Sequence, residues 1–228
     1  MPLGLHKFLR VIVPGALLAV EGFLLYAFCF LAFPSSSDTW SLLSRDLGKT
    51  TSFVLLSLVL GAFYYYLGIT EVIDNKTFRG MQGIRDNITD RLTRPFRSDS
   101  AVASRLSDID WRILRRVFFR FIDEIPHLAT SNQLAFFSGL GFYASVDLAA
   151  ISSLYTVAIV VGWMMIGDAN LAVRLYLLVL VVLVAVGIAT ARVTIRKHRE
   201  TSDIQLDAIL ADHLSELRDR ILKSLDIK

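Results

Sequence analysis

The sequence predicts an all-α fold: a polytopic membrane protein with four transmembrane helices, a small helical cytoplasmic layer and both termini cytoplasmic. Three observations predict it. Four apolar runs each reach the roughly 20 residues that a helix needs to cross a bilayer's hydrocarbon core, in a chain of 228 residues that is 54% hydrophobic with a mean hydropathy of +0.53. Lys and Arg gather on one side of those runs. The segment between the second and third runs has the apolar period of surface helices rather than of strands.

The runs are residues 11–33, 51–72, 144–167 and 171–192. They divide the chain into a first transmembrane hairpin (1–72), a basic helical cytoplasmic insert (73–130), a second hairpin with a cytoplasmic extension of its first helix (131–192) and a cytoplasmic C-terminal helix (193–228). Lys7 and Arg10 precede the first run as they would in a secretory signal. The run is longer than the about 7–15 residues of a signal, and no small-residue cleavage pattern follows, so it reads as a retained helix. Cys29, the single cysteine, lies inside it and permits no intramolecular disulfide.

Orientation follows from the basic residues near span ends. The amino end carries Lys7 and Arg10, the insert ten Arg and one Lys, and the tail after Thr190 eight basic residues; the other side has only Arg45, Lys49 and Arg174. Both termini and the insert are therefore expected in the cytoplasm, with the chain a multi-pass membrane protein. Outside remain a loop, 34–50, with Trp40 as an interfacial anchor, and a tight turn at Asp168, Ala169 and Asn170.

In the insert, Ile84, Ile88 and Leu92 recur every fourth residue and predict a short amphipathic helix ending before Pro95, followed by a Ser-rich loop over 96–104. Residues 107–125 predict a second helix, with Ser107 or Asp108 as N-cap and Pro126 as its stop. Leu114, Val117, Phe118, Phe121 and Ile125 form its apolar face, and Arg112, Arg115 and Arg116 group on the other side. Such a helix either lies on the inner leaflet, Phe in the interface and Arg at the headgroups, or offers its arginines to a cytosolic anion. Phe118, Phe119 and Phe121 fall on or beside the apolar face rather than interleaving with Arg as base-stacking platforms would.

The apolar character of the third run extends back to Leu134, over 30 residues, too long for a bilayer at about 1.5 Å per residue. Its first turns should project into the cytoplasm, with Gly139 and Gly141 allowing a bend, and couple the insert to the span. After the fourth run, Arg192, Arg196, Lys197 and Arg199 make a basic collar before a helix over 202–225. Leu210, Leu214, Leu217 and Ile221 alternate four and three apart, a two-heptad seam for self-association or for packing on the insert of the same chain.

Polar residues inside the spans are the functional candidates there. Glu21 lies near the middle of the first run, as a pore or gate residue or as a protonated helix-to-helix hydrogen bond. Ser57, Gly61, Tyr64, Gly68 and Glu71 project from one side of the second run, a close-packing face that makes Tyr64 or Ser57 the expected partner of Glu21. On the third run Ser145, Ser152 and Thr156 share one face and Asp147 takes the opposite one. The fourth run is apolar almost throughout and should face lipid. Glu21, Ser57, Tyr64, Glu71 and Asp147 are the pore or gate candidates, since polar rings repeated by symmetry can line a conducting path.

Catalytic constellations do not emerge. His6, His127, His198 and His213 are not paired at metal-ligand spacing, and no P-loop or nucleotide fingerprint occurs, so neither an enzyme nor a cofactor or metal is expected. Arginine binds phosphate through a planar two-pronged fork. That points to Arg79, Arg85, Arg91, Arg94, Arg97, Arg112, Arg115 and Arg116 as binders of a cytosolic nucleotide or oligonucleotide, although eight acids hold the insert's net charge to about +3. Four copies around one axis, a homotetramer, would gather these arginines into a positive funnel. A soluble partner protein recruited by the insert and tail is the other expectation.

This layout of four spans, short chain and basic cytosolic layer resembles the small four-helix membrane proteins of bacterial antiphage defence, the effectors of Hailong-type and the membrane components of Kiwa-type systems. The resemblance implies an oligomeric inner-membrane channel or sensor whose cytosolic face answers to a nucleic-acid-like signal or a partner protein. It assigns no individual residue.

Overall fold

The computed structural model describes residues 3–32, 50–99, 111–166 and 171–226, and among these every regular element is helical. Trp40 with most of its loop, the N-cap at Ser107 or Asp108, and the turn Asp168 to Asn170 lie outside the described residues. The elements in chain order are α1 Leu3–Ala32, α2 Thr50–Tyr66, α3 Ile69–Ile73, a π-helical turn Asp74–Phe78, α4 Gly80–Thr93, a 3₁₀ turn Arg94–Phe96, α5 Trp111–Glu124, α6 Pro126–Ile166, α7 Leu171–Asp212 and α8 Leu214–Asp226. They form two compact units: residues 1–76 with 140–193, and residues 77–139 with 194–228. Helices α6 and α7 contribute residues to both.

Three described helices contain segments long and apolar enough to cross a membrane: Phe8–Tyr26, Ser131–Met164 and Leu171–Asp212. The chain is thus compatible with a membrane protein. The expected single span over 51–72 is broken instead. Helix α2 stops at Tyr66 and α3 starts at Ile69, with a bend of 45° between Ser52–Tyr66 and Ile69–Phe78. Gly68 causes the break, because its φ of 62° is a left-handed conformation that a residue without Cβ adopts at little cost. Its N–H reaches back to Tyr65 O at 3.0 Å and ends the α-ladder there. Counted as one bent span, the pair makes a fourth.

In the first unit α1 and α2 meet backbone to backbone. A Cβ on Gly15 would overlap the carbonyl oxygen of Ser57, and one on Gly61 would overlap that of Val11. Small residues at such a crossing let two apolar helices approach closely enough for dispersion to hold them where no hydrophobic force acts between them. Gly187 of α7 makes a similar approach to Ser145 O and Ala149 of α6. The outward residues of α7, such as Leu175, Leu178 and Val182, are exposed.

The second unit has a core of its own. Ile84, Ile88 and Leu92 of α4, Leu114, Val117, Phe118 and Phe121 of α5, Leu206 and Ile209 of α7, and Leu217 and Ile221 of α8 are buried in one cluster. Burying each such side chain contributes about 1.5–3 kcal/mol. Both insert helices therefore carry the predicted apolar faces. The face of α5 packs against protein, so Phe118 and Phe121 do not enter a lipid interface as the leaflet reading expected. Pro126 ends α5 as predicted and also opens α6, where its missing N–H is one that a first helical turn leaves unused.

Two boundaries differ from the sequence reading. No separate helix starts near 202, because α7 continues through the basic collar to Asp212. The interruption falls at His213, inside the predicted seam, although Ile209 O still accepts from His213 N–H and His213 O from Leu217 N–H. Leu217 and Ile221 are fully buried in the core of their own chain while Leu214 is 41% exposed, so the four residues do not form one continuous seam. Likewise α6 runs unbroken past Gly139 and Gly141.

The α1–α2 crossing predicts that Gly15→Ala and Gly61→Ala each destabilise the first unit by about 1–3 kcal/mol, the usual cost of overpacking. Gly162→Ala, which meets nothing within 4 Å, should be neutral. Unfolding of the detergent-solubilised protein checks this, and equal stability of all three variants would contradict the crossing.

Candidate functional site

Two groups of polar residues stand out, one in each unit. In the first, Glu21 is 2% exposed in the middle of α1. A charged group at a bilayer's centre costs about 2.5–3.5 kcal/mol on insertion scales, so such a residue is expected to have a partner. That partner is neither Tyr64 nor Ser57 as expected, but Ser152 of α6, whose hydroxyl donates to Glu21 Oε1 at 2.7 Å. The Gly15 crossing explains the difference, since it places Ser57 six residues before Glu21 along α1, about 9 Å at the helical rise. Tyr176 of α7 donates to the Glu21 carbonyl at 2.8 Å and Tyr155 to that of Leu18 at 3.0 Å.

Tyr64 instead serves Asp147. Thr70 Oγ1 donates to Asp147 Oδ1 at 2.5 Å and Tyr64 OH to the same oxygen at 3.2 Å, which ties α6 to both sides of the break at Gly68. Beside it, Arg10 lies 3.6 Å from Glu71 and stacks its guanidinium 4.1 Å from the Tyr143 ring centre. Asp147 and Ser152 face different neighbours, as predicted. The hydroxyls of Ser145 and Thr156 turn back to carbonyls of their own helix, those of Gly141 and Ser152. Of the pore or gate candidates, Glu21, Ser57, Tyr64 and Asp147 are buried within the single chain, and Glu71 is exposed.

The arginines of the second unit divide into two sets. Arg91 donates to Asp203, at 3.2 Å, and to Asp207 on α7, and Asn87 joins them at Asp203. Arg97 pairs with Asp90, and Arg79 opens α4 in a left-handed conformation, φ 48°. Arg91 and Arg97 thus hold structure together, while Arg85 and Arg94 are exposed. The tail repeats the pattern: Arg218 donates to Asp99 at 2.6 Å, and Arg220 pairs with Glu124 and Glu216 while lying over the Phe121 ring.

The outer face of α5 is different. Arg112, Arg115, Arg116 and Arg120 surround an open concavity of about 370 Å³ that Phe119 and Asp123 complete. Phe119 is 38% exposed, with Arg115 Cζ 5.7 Å from its ring centre. Phe119 was expected beside the apolar face. It stands among the arginines because seven residues separate it from Arg112, two turns on one side of a helix. Arg120, which sequence reasoning did not select, continues the row at i+4 from Arg116. Like charges three and four apart cost a helix about 0.2–0.5 kcal/mol per pair. The row thus lowers the helix's own stability and has one acid, Asp123, inside it. An anion bridging the guanidiniums would reverse that cost.

His198 of α7 is half-buried. Ser138 Oγ lies 3.0 Å from its Nδ1 and donates to Ala135 O. Burial holds the imidazole below the ordinary histidine range, against a hydrogen bond to Ala135 O that acts the other way. No group of three or more His, Cys, Asp or Glu that could hold a metal ion occurs among the described residues. No protein family, no curated protein and no solved structure matches the chain.

A histidine kept neutral by folding is protonated first in the unfolded chain, so its contribution is complete above about pH 6.5 and falls away as the pH drops through the lower folded value. The second unit should therefore lose stability as the pH falls below about 6.5, and His198→Leu should flatten that slope. Melting curves across this range test it; an unchanged slope in the variant would show that other groups carry it.

Proposed function

We propose that the protein is an oligomeric inner-membrane effector or channel, both termini and the basic unit in the cytoplasm, gated by a cytosolic phosphate-bearing anion of the nucleotide or oligonucleotide class. The observation that carries this reading is the row Arg112, Arg115, Arg116 and Arg120 around the exposed Phe119. Four guanidiniums on two turns match several phosphates at once, and charge-assisted bonds are the strong ones. Helices α6 and α7 belong to both units and supply the route by which binding would bias the membrane part. The bias requires the anion to prefer one state over the other. The group at Asp147, Tyr64, Thr70 and Arg10 straddles the break at Gly68 and is the gate in this reading. A place in antiphage defence, with a tetramer as the assembly, extends the resemblance in layout.

A non-conducting scaffold or sensor that recruits a soluble partner is the second reading. It is favoured by the burial of Glu21, Ser57, Tyr64 and Asp147 inside one chain, where they would not line a path between copies.

Ion flux from liposomes carrying the purified protein, with and without oligonucleotide, separates the two. The channel reading expects ligand-dependent flux whose ligand affinity falls with added salt. Replacing Arg112, Arg115 and Arg116 together by Gln should weaken binding by at least about tenfold, since each charge-assisted bond contributes about 1.5–3 kcal/mol. Absence of flux in every state would leave the scaffold.

A further inference from the structure

The first unit contains a carboxyl whose surroundings suit a proton and no other ligand. Glu21 is 2% exposed, one oxygen accepts the Ser152 hydroxyl, and the other, Oε2, is buried with no hydrogen-bond partner among the described residues. Among the described residues, no element packed around it presents a counter-charge. Helix α6 presents Ser152 and Tyr155, the latter's hydroxyl committed to Leu18 O. Helix α7 presents Tyr176, committed to Glu21 O, while its Arg174 is exposed. Helix α2 has no titratable side chain from Thr50 to Phe63, and on α1 itself Arg10 lies three turns away and is paired with Glu71.

Asp147, another buried acid of this unit, supplies the contrast. It accepts two hydroxyls at one oxygen, and Arg10 lies close enough to act on it electrostatically. Glu21 has half as many donors and no such cation. An ionised carboxylate there would leave a full charge on an oxygen that nothing solvates, whereas a carboxylic acid removes the charge and keeps the bond from Ser152.

We propose that Glu21, Ser152 and their apolar surroundings form a proton-binding site, occupied at neutral pH, whose proton holds α1 against α6. Losing that proton places an unpaired charge between the two helices, so occupancy and helix packing are linked, and alkaline conditions loosen the first unit.

Infrared spectroscopy of the full-length protein in lipid bilayers reads the site directly, because a protonated carboxyl has a carbonyl band resolved from carboxylate bands. The band is expected at neutral pH in the native protein, absent in Glu21→Gln and retained in Asp147→Asn. Ser152→Ala should keep it but move it to higher frequency, since the carbonyl loses its donor, and this variant keeps the proposal testable should Glu21→Gln fail to fold. Above about pH 7, where His198 no longer titrates, melting temperature should fall with rising pH in the native protein and stay flat in Glu21→Gln. A native spectrum without the band at neutral pH would overturn the proposal, as would a band that Asp147→Asn removes and Glu21→Gln leaves.

Discussion

The backbone crossing of α1 and α2 at Gly15 and Gly61 places the polar residues of the first unit. With two carbonyls standing where side chains would otherwise be, these helices have one register available to them. That register puts Ser57 opposite Gly15 and leaves Tyr64 for Asp147. Glu21, nearly two turns further along α1, meets Ser152 on α6 instead. In an apolar medium a buried polar group without a partner costs more than the net gain from any one bond. The pairings that the register permits therefore decide which carboxyl is well solvated by the protein and which is not.

The second unit rests on a different force. Its helices bury Leu, Ile and Phe against one another as a water-soluble domain does, and its charges sit outside that core. Several of its arginines are answered by acids: Arg91 by Asp203 and Asp207 of α7, Arg218 by Asp99, and Arg220 by Glu124 of α5 and Glu216 of its own helix. Such solvent-screened pairs add little to stability and mainly fix which segment lies beside which. Against that background the row on α5 is the departure, because it gathers four like charges around an exposed ring at a cost to its own helix. Departures of that kind are where a sequence serves something other than its fold.

Composition and periodicity reveal a great deal here because they report properties of one helix at a time. The apolar runs, the faces of α4 and α5, the stop at Pro126 and the overlength of α6 are all set by spacing along the chain, and the structure contains each of them. Gly68 marked the place of the break in α2, but a glycine in an apolar run also serves close packing, and nothing local distinguishes the two uses. The tail's seam had two readings for a related reason, and Leu217 and Ile221 lie in the core of their own chain with Leu210 packed against it. Spacing places Leu217 and Ile221 on one face of a helix but does not say whether that face meets a second copy or the chain's own α4 and α5.

What the sequence by itself determined is therefore the helical class, the apolar segments, and which residues share a side of each helix, since helical geometry converts spacing into direction. What only the tertiary structure decided is who faces whom: Ser152 rather than Tyr64 at Glu21, and protein rather than lipid on the apolar side of α5. Those outcomes depend on distances between segments far apart in the chain, and on the competition of many partners for each buried surface, which no local pattern records.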